Sequence, residues 1–261
     1  MRWINLTELA IVTGAGQGIG KAIAFKLARQ GLAVGVLDIN AKTAKQTVDE
    51  LTREGFTAKD YQVDVADENA FATAVDNAIG DLGKLAVFVN NAGVAFIDSI
   101  VDSDSAAIRR LIDVNLLGTF WGIKIAAKRF IEQGSGGRII NAASLAGVEA
   151  SALQSAYSAS KFGIRGLTQA ASKELAKYQV TVNAYNPGVV RTPLRDAIDE
   201  RTAEIKSKTV LEQQRDVLSE ISLGREATPE DVANVVGFFA SPEGSYLTGQ
   251  SILVDGGMEY R

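Results

Sequence analysis

Tyr157 and Lys161 stand four residues apart in a stretch that is compatible with a helix. Residues at that spacing share one helix face, so their side chains can act together. A tyrosine hydroxyl has an ordinary pKa of roughly 10, and a neighbouring ammonium lowers that pKa by stabilising the phenolate. The pair therefore predicts a proton donor or acceptor. Ser144 follows an apolar run just upstream and could hold a substrate oxygen beside the tyrosine.

A Tyr-x-x-x-Lys pair also occurs on ordinary solvated helices, so its weight depends on a second motif. The sequence TGAGQGIG at 13–20 lies where the first apolar run passes into the first amphipathic stretch. Its glycines follow the spacing G-x-x-x-G-x-G from Gly14, not the strict G-x-G-x-x-G. Backbone without Cβ atoms can approach a pyrophosphate, whose charge then lies at the positive end of a helix that begins near Gly18. Glycines also serve close packing, but this position after the first strand favours a dinucleotide site.

Asp38 closes the second apolar run and would set the choice between the two nicotinamide dinucleotides. A carboxylate there can accept hydrogen bonds from an adenosine ribose and repels a 2′-phosphate. The neighbours Leu37 and Ile39 are apolar, and the turn offers Gln17 instead of a cation. NAD(H) is therefore expected over NADP(H). The alternative is that Asp38 only ends a strand or caps the next helix.

The composition excludes several other kinds of chemistry. None of the 261 residues is Cys or His, which removes disulfides, thiolate nucleophiles, Cys/His zinc sites and Ser-His-Asp triads, and no metal is expected. The net charge of −4 has both signs interspersed, so no basic stripe predicts nucleic-acid binding. Residues 1–14 are not typical of a signal peptide, and no apolar run is long enough to cross a membrane. We therefore expect a cytoplasmic protein with small-molecule partners.

Seven short apolar runs alternate with longer amphipathic stretches, which predicts an α/β fold. We expect one domain over 1–261: a Rossmann-type, doubly wound parallel sheet of about seven strands with helices on both faces. The helical stretches repeat apolar residues at helical spacing, and Thr228-Pro229 is typical of a helix start. The predicted strands are Leu9–Thr13, Ala33–Leu37, Lys59–Val63, Leu85–Asn90, Arg138–Ala143, Val180–Tyr185 and Ile252–Val254.

The segment 194–223 departs from this pattern. It is helical in composition but dense in charge, with too little apolar surface for a core helix. Two interpretations stay open: a mobile lid over a site, or a solvated excursion on the surface.

From about Leu9 to its C-terminus the chain resembles the short-chain dehydrogenases/reductases. The landmarks stand in family order and at family spacing: TGAGQGIG at 13–20, Asp64-Val65, Asn90-Asn91-Ala92-Gly93, Asn115, Ser144, YSASK at 157–161 and Pro187-Gly188. In such enzymes the hydride chemistry belongs to the cofactor, and the protein supplies placement and a proton.

The resemblance implies a role for each matching residue. Tyr157 would be the general acid/base, Lys161 would lower its pKa and bind the nicotinamide ribose, and Ser144 would orient the carbonyl. Asn115 would hold a water that relays protons. The implied cofactor residues are Gly14, Gln17, Gly18, Ile19, Gly20, Asp38, Asp64, Val65, Asn91, Ala92, Gly93, Tyr157, Lys161, Pro187, Gly188, Val190 and Thr192. The implied substrate residues are Ser144, Leu145, Tyr157 and Leu194.

Within the family, three stretches are most similar to the acetoin/diacetyl reductases, also called 2,3-butanediol dehydrogenases. These are VTGAGQGIGKAIA, AYSASKFGIRGLTQAASKELA and SYLTGQSILVDGGM. The similarity implies reversible, NADH-dependent reduction of diacetyl to acetoin and of acetoin to 2,3-butanediol. Two positions depart from many of these relatives: Leu145 stands in place of Gln, and Arg195 in place of an aromatic residue. A polar contact to the second substrate oxygen and the lid contacts are expected to differ, and the stereochemistry is left open.

Other functions fit the same fold. One alternative is an NAD-dependent polyol or sugar-alcohol dehydrogenase, or a 3-oxoacyl reductase. Another is a module that senses NAD(H) without catalysis, although such a module would have no need of Ser144, Tyr157 and Lys161. The resemblance further implies a homotetramer built on the helices near Ala106–Phe130 and Tyr157–Lys177 and on the C-terminal strand. Phe120, Trp121 and Phe130 could form that interface or face the core.

Overall fold

The centre of the molecule is a parallel sheet with the strand order β3-β2-β1-β4-β5-β6-β7. The computed structural model describes residues 8–260, so the predictions for the first seven residues and for Arg261 lie outside the described residues. Within 8–260 all seven predicted runs are strands, with bounds within two residues of the prediction. The strands are β1 (Glu8–Thr13), β2 (Ala33–Asp38), β3 (Ala58–Gln62), β4 (Lys84–Asn90), β5 (Gly137–Ala142), β6 (Val180–Pro187) and β7 (Ser251–Val254).

Helices cover both faces of this sheet, which confirms the predicted doubly wound fold. A π-helical segment, Asp113–Leu117, joins α4 to α5, and Thr228 caps the helix that was predicted to begin at Pro229. The α-helices within 8–260 are α1 (Gly18–Arg29), α2 (Ala41–Arg53), α3 (Glu68–Leu82), α4 (Ser105–Ile112), α5 (Gly118–Gln133), α6 (Ser155–Leu175), α7 (Pro193–Ile205), α8 (Val210–Ser219) and α9 (Pro229–Ala240).

The core has two layers because successive side chains of a strand point to opposite faces. In β1, Ala10 and Val12 pack with α1, α2 and α9, whereas Leu9 and Ile11 pack with α3, α5 and α6. Phe130 belongs to the second layer and is fully buried, so it faces the core. A strand buried on both sides is apolar at nearly every position, which explains why the runs were visible in the sequence.

The charge-dense segment 194–223 contains α8 and all of α7 except Pro193. These two helices pack against each other. Their buried positions include polar side chains, among them Asp199, Thr202 and Gln213. Because these buried positions are polar, the sequence of the two helices has no strong apolar stripe. The pair lies over a cavity at the sheet edge, outside the two core layers.

Within residues 8–260, no helix is both long and apolar enough to cross a membrane. The same residues contain no group of three or more Asp or Glu side chains that could hold a metal ion.

Gly122 on α5 allows the closest approach between a helix and the sheet. A Cβ atom at this position would lie 1.8 Å from Oδ1 of the buried Asn90, whose Nδ2 donates to Asn141 Oδ1 at 2.9 Å. Gly122→Ala is therefore expected to lower the free energy of unfolding by about 1–3 kcal/mol. Gly80→Ala is the matched control, because that Cβ would meet nothing within 4 Å. It should raise stability by about 0.5–1 kcal/mol. Thermal melting at one protein concentration measures both, and equal stability of the two variants would contradict the packing argument.

Candidate active site

The main cavity opens at the carboxyl ends of the strands, where β1 and β4 lie side by side. The chain leaves these two neighbouring strands in opposite directions across the sheet, and the crevice between them is where open α/β sheets bind ligands. The cavity holds about 650 Å³. Its walls come from the ends of β1, β2, β4, β5 and β6 together with α6, α7 and α8.

The glycine turn forms one wall of the cavity. Gly18 begins α1 at a φ of +56°, a left-handed conformation that favours glycine. A Cβ on Gly20 would lie 2.1 Å from the carbonyl oxygen of Gly14, so the turn can close this tightly only without side chains. Gln17 precedes the helix and makes no side-chain cap. The first amides of α1 therefore face the cavity end without a side-chain acceptor, which fits the pyrophosphate of a dinucleotide.

Hydrogen bonds from neighbouring strands fix this turn. Asn91 follows β4, and its Nδ2 donates to the carbonyl oxygens of Thr13 at 2.9 Å and Gly14 at 3.1 Å. Tyr185, fully buried on β6, donates its hydroxyl to Asn91 Oδ1 at 2.9 Å. Three strand ends are thus tied to one amide side chain. Because these groups are paired and at least partly buried, the turn and the rest of the cavity wall keep a fixed relation.

Asp38 lies at the end of β2 with both carboxylate oxygens engaged by the backbone. Its Oδ2 accepts from the Gly16 amide and its Oδ1 from the Asn40 amide, each at 2.9 Å. Asn40, not Asp38, is the side chain that caps α2. Ile39 is 56% exposed and lines the cavity beside the carboxylate. Asp38 therefore supports the glycine turn and also presents negative charge to the cavity.

A second carboxylate, Asp64, follows β3 at the same end of the cavity. Its Oδ2 pairs with the guanidinium of Arg110 on α4 at 2.8 Å. Burial opposes ionisation, but the hydrogen bonds from Arg110 and from the Ala66 amide outweigh it and hold the pKa of Asp64 below its ordinary value. The guanidinium of Arg110 is therefore already paired within the protein.

Ser144, Tyr157 and Lys161 meet at the other end of the cavity. Ser144 lies two residues beyond the end of β5, and its Oγ accepts from the Ala146 amide at 3.2 Å. Lys161 is 4% exposed, lies 5.5 Å from the centre of the Tyr157 ring, and donates its Nζ to the Ala142 carbonyl at 2.8 Å. The helical spacing of the tyrosine and the lysine thus brings both to one wall, next to the serine.

The protonation of these groups is dominated by burial. Burial raises the pKa of Tyr157 above its ordinary value, and a hydrogen bond with Ser144 opposes this rise. Burial lowers the pKa of Lys161 to about 8. This direction for Tyr157 is opposite to the sequence-based expectation, because removal of the phenol from water raises the pKa more than the hydrogen bond with Ser144 lowers it. Tyr157 is therefore a protonated hydroxyl at neutral pH.

Asn115 lies behind the cavity wall, within the π-helical segment, and is fully buried. Its Oδ1 accepts from the Val94 amide at 2.8 Å, and its Nδ2 donates to the Val94 carbonyl at 2.9 Å and to Ser160 Oγ at 3.3 Å. The side chain positions the loop after β4. Its role in a proton relay stays a prediction.

The cavity brings together nearly all the residues selected from the sequence. Among the predicted residues, only Gly18 and Asn115 do not line the cavity. The predicted substrate residues Leu145 and Leu194 both line it. Several lining residues had no signal in the sequence, because they come from positions distant in the chain or from strand ends that look like core. These include Arg110, Gln154, Tyr185, Ile198, Gln213 and Met258.

Known proteins are similar to this chain in sequence and in fold. Residues 8–203 match the family model for short chain dehydrogenase. The chain is 42% identical to a diacetyl reductase, (S)-acetoin forming, of Staphylococcus epidermidis, covering 98% of this chain and 100% of that protein. It is also 42% identical to an L-2,3-butanediol dehydrogenase of Corynebacterium glutamicum over the same shares. A crystal structure of actinorhodin polyketide ketoreductase with NADPH superposes with a TM-score of 0.93 at 32% identity, covering 97% of both chains.

Proposed function

The chain belongs to the short-chain dehydrogenase family, and from this premise we propose that it reduces diacetyl to acetoin and acetoin to 2,3-butanediol, reversibly, with NADH. As a member of this family, the protein is an alcohol or ketone oxidoreductase that uses a nicotinamide dinucleotide. The observation that supports the reaction most strongly is the meeting of Ser144, Tyr157 and Lys161 in one cavity with the glycine turn. The choice of substrate rests on the relatives that are 42% identical over nearly the whole chain.

The bound dinucleotide would supply or accept a hydride. The glycine turn and Asp38 would hold its adenosine half, and Lys161 the nicotinamide ribose. During reduction, negative charge develops on the substrate oxygen, and the hydroxyls of Ser144 and Tyr157 would donate hydrogen bonds to it. Because those bonds strengthen as the charge grows, they stabilise the transition state more than the bound ketone. Tyr157 then gives its proton to the oxygen and takes it back in the reverse reaction.

NADH is proposed over NADPH because of the charge at the adenosine end. The Asp38 carboxylate lines the cavity, and the nearby Arg110 is already paired with Asp64 at 2.8 Å. A 2′-phosphate there would meet a carboxylate and find no unpaired guanidinium in the described wall. This preference is a property of the chain's own residues, and exchange of those residues tests it.

The substrate proposal is tested by the loss of NADH absorbance with a panel of ketones. Diacetyl and acetoin are compared with xylulose, fructose and a 3-oxoacyl ester, and the series is repeated with NADPH. Rapid turnover of diacetyl and acetoin with NADH is the expected result. Activity with only a sugar or an oxoacyl ester would overturn the substrate assignment and favour a polyol dehydrogenase or an oxoacyl reductase. Cofactor binding without any turnover would favour a sensor.

The two directions of the reaction should differ in their pH dependence. Reduction needs protonated Tyr157, and because burial raises the pKa of this group, Tyr157 should cause no fall in the reduction rate from neutral to mildly alkaline pH. A fall near pH 8 would report loss of the Lys161 ammonium, whose pKa is about 8. Oxidation of 2,3-butanediol needs the phenolate, so its rate should rise about tenfold per pH unit below that pKa. Initial rates across the pH range measure this. An oxidation rate that levels off near neutral pH would mean that the Lys161 ammonium lowers the pKa of Tyr157 in the working complex.

We also propose that the protein is a cytoplasmic homotetramer and that 194–223 closes over the substrate. Phe120 is 42% exposed on α5 and supports an interface there, whereas Phe130 does not contribute because it is in the core. The lining residues from α7 and α8 support the lid. Gel filtration with light scattering tests the assembly, and a monomer at working concentration would contradict it.

A further inference from the structure

The wall that α7 and α8 add to the cavity, here called its polar or distal end, carries several polar side chains beside the apolar Ile198 and Val217. Gln213 on α8 lines this end and is only 6% exposed. Its Oε1 has no hydrogen-bond partner within the described part of the chain, residues 8–260. Buried polar groups in proteins are nearly always paired, because an unpaired one loses its hydration without replacement. A buried amide at the wall of a binding cavity therefore indicates a partner that arrives with the ligand.

The groups around Gln213 indicate the chemistry of that partner. Thr202 on α7 is 7% exposed and adds a hydroxyl to the same wall. Arg195 lines the wall too, but it is bound to the buried Asp199, with its Nε 2.9 Å from Oδ2. Lys206 and Glu220 contribute one charge of each sign at the ends of the two helices. Because these two charges have opposite sign, they add no net charge to this end, which suits a neutral polar group better than a carboxylate or a phosphate.

We propose that this distal end binds hydroxyl groups on substrate carbons beyond the acetoin-like head, with the Gln213 amide as the specificity-determining contact. The inference rests on the proposed function, since it extends the same substrate site. A hydroxyl both donates and accepts, so it pairs with either end of the amide. An unsubstituted carbon chain in the same place would leave the buried amide unpaired, which is the basis for rejecting it. The substrate class is thus hydroxylated ketones longer than four carbons, in addition to acetoin itself.

Two five-carbon ketones with the same head test this directly. In 1-deoxyxylulose, a methyl ketone and its adjacent hydroxyl are followed by two more hydroxylated carbons. In 3-hydroxypentan-2-one the head is identical and those two carbons are unsubstituted. The wild-type enzyme should prefer 1-deoxyxylulose in kcat/KM by roughly 2- to 12-fold for each hydrogen bond made. No preference, or preference for the unsubstituted ketone, would overturn the proposal.

Gln213→Met keeps the length of the side chain and removes the amide. It should lower the ratio of the two kcat/KM values by roughly 2- to 12-fold. Arg215→Met is the matched control, because Arg215 is exposed on the same helix and does not line the cavity. The control should keep the wild-type ratio. A Gln213→Met ratio equal to that of wild type, or an equal fall with both ketones, would assign Gln213 a structural role only.

Equilibrium binding keeps the inference testable if turnover is absent. Calorimetric titration of both ketones into wild-type protein with NAD⁺ should show tighter binding of 1-deoxyxylulose, and equal Kd values would overturn the proposal. Acetoin is assayed alongside with NADH. Failure of acetoin turnover with a retained preference for 1-deoxyxylulose would refute the proposed function and keep the distal site. Acetoin turnover without that preference would support the proposed function and refute the distal site.

Discussion

Tyr157→Phe is expected to lower kcat for ketone reduction by about 10²–10⁴-fold while NADH binds nearly as tightly as before. The change removes one oxygen and almost no volume, so the wall formed with Ser144 and Lys161 keeps its shape. The reaction loses the group that gives its proton to the substrate oxygen. Steady-state kinetics with acetoin and NADH measure the effect, and quenching of protein fluorescence by NADH measures cofactor binding.

The matched control is Tyr246→Phe, because Tyr246 is 99% exposed and does not line the cavity. It should retain wild-type kinetics. Thermal melting of both variants separates loss of the proton donor from loss of the fold. A Tyr157→Phe enzyme that retains full turnover would refute the assignment of the general acid.

Asp38→Ser combined with Ile39→Arg is expected to reverse the cofactor preference. The two changes remove a carboxylate that would face the 2′-phosphate and place a guanidinium beside it at an exposed position. A like-charge contact costs several kcal/mol, so the ratio of kcat/KM for NADPH to that for NADH should rise by about 100-fold or more. The measurement is steady-state kinetics with each cofactor at saturating acetoin.

Asp38→Asn is the control for the structural role of this residue. It removes the charge but keeps an oxygen that can accept from the Gly16 amide, as Oδ2 does at 2.9 Å. It should give a smaller rise in the ratio, since it adds no cation. If the folded double variant shows no shift, Asp38 serves only to support the glycine turn.

The sheet could be predicted from the sequence because its strands are buried on both faces. Each is a nearly continuous apolar run, and the helices between them repeat apolar residues at helical spacing. The glycine turn and the pair formed by Tyr157 and Lys161 were visible for a similar reason. Their geometry is local: a strand-to-helix turn in the first case, and one helix face in the second.

The polar end of the cavity could not be predicted because its contacts are not local. Gln213 reaches the wall only when α8 packs on α7, and Arg110 meets Asp64 from a helix 46 residues further along the chain. Nothing in the residues next to them distinguishes these side chains from solvated ones. The direction of the pKa shift of Tyr157 could not be predicted from the sequence either, since it depends on burial and on the hydrogen bond with Ser144.

We propose that this site transfers a hydride from NADH to a small ketone. The most direct measurement uses NADH with deuterium at both transferable positions of the nicotinamide, mixed with diacetyl, and mass spectrometry of the products. One deuterium per reduced carbon is predicted with the wild-type enzyme, and Tyr157→Phe should form at most about a hundredth as much labelled product in the same time. Acetoin without deuterium, or no acetoin while a hydroxylated sugar or an oxoacyl ester takes up the label, would contradict the claim.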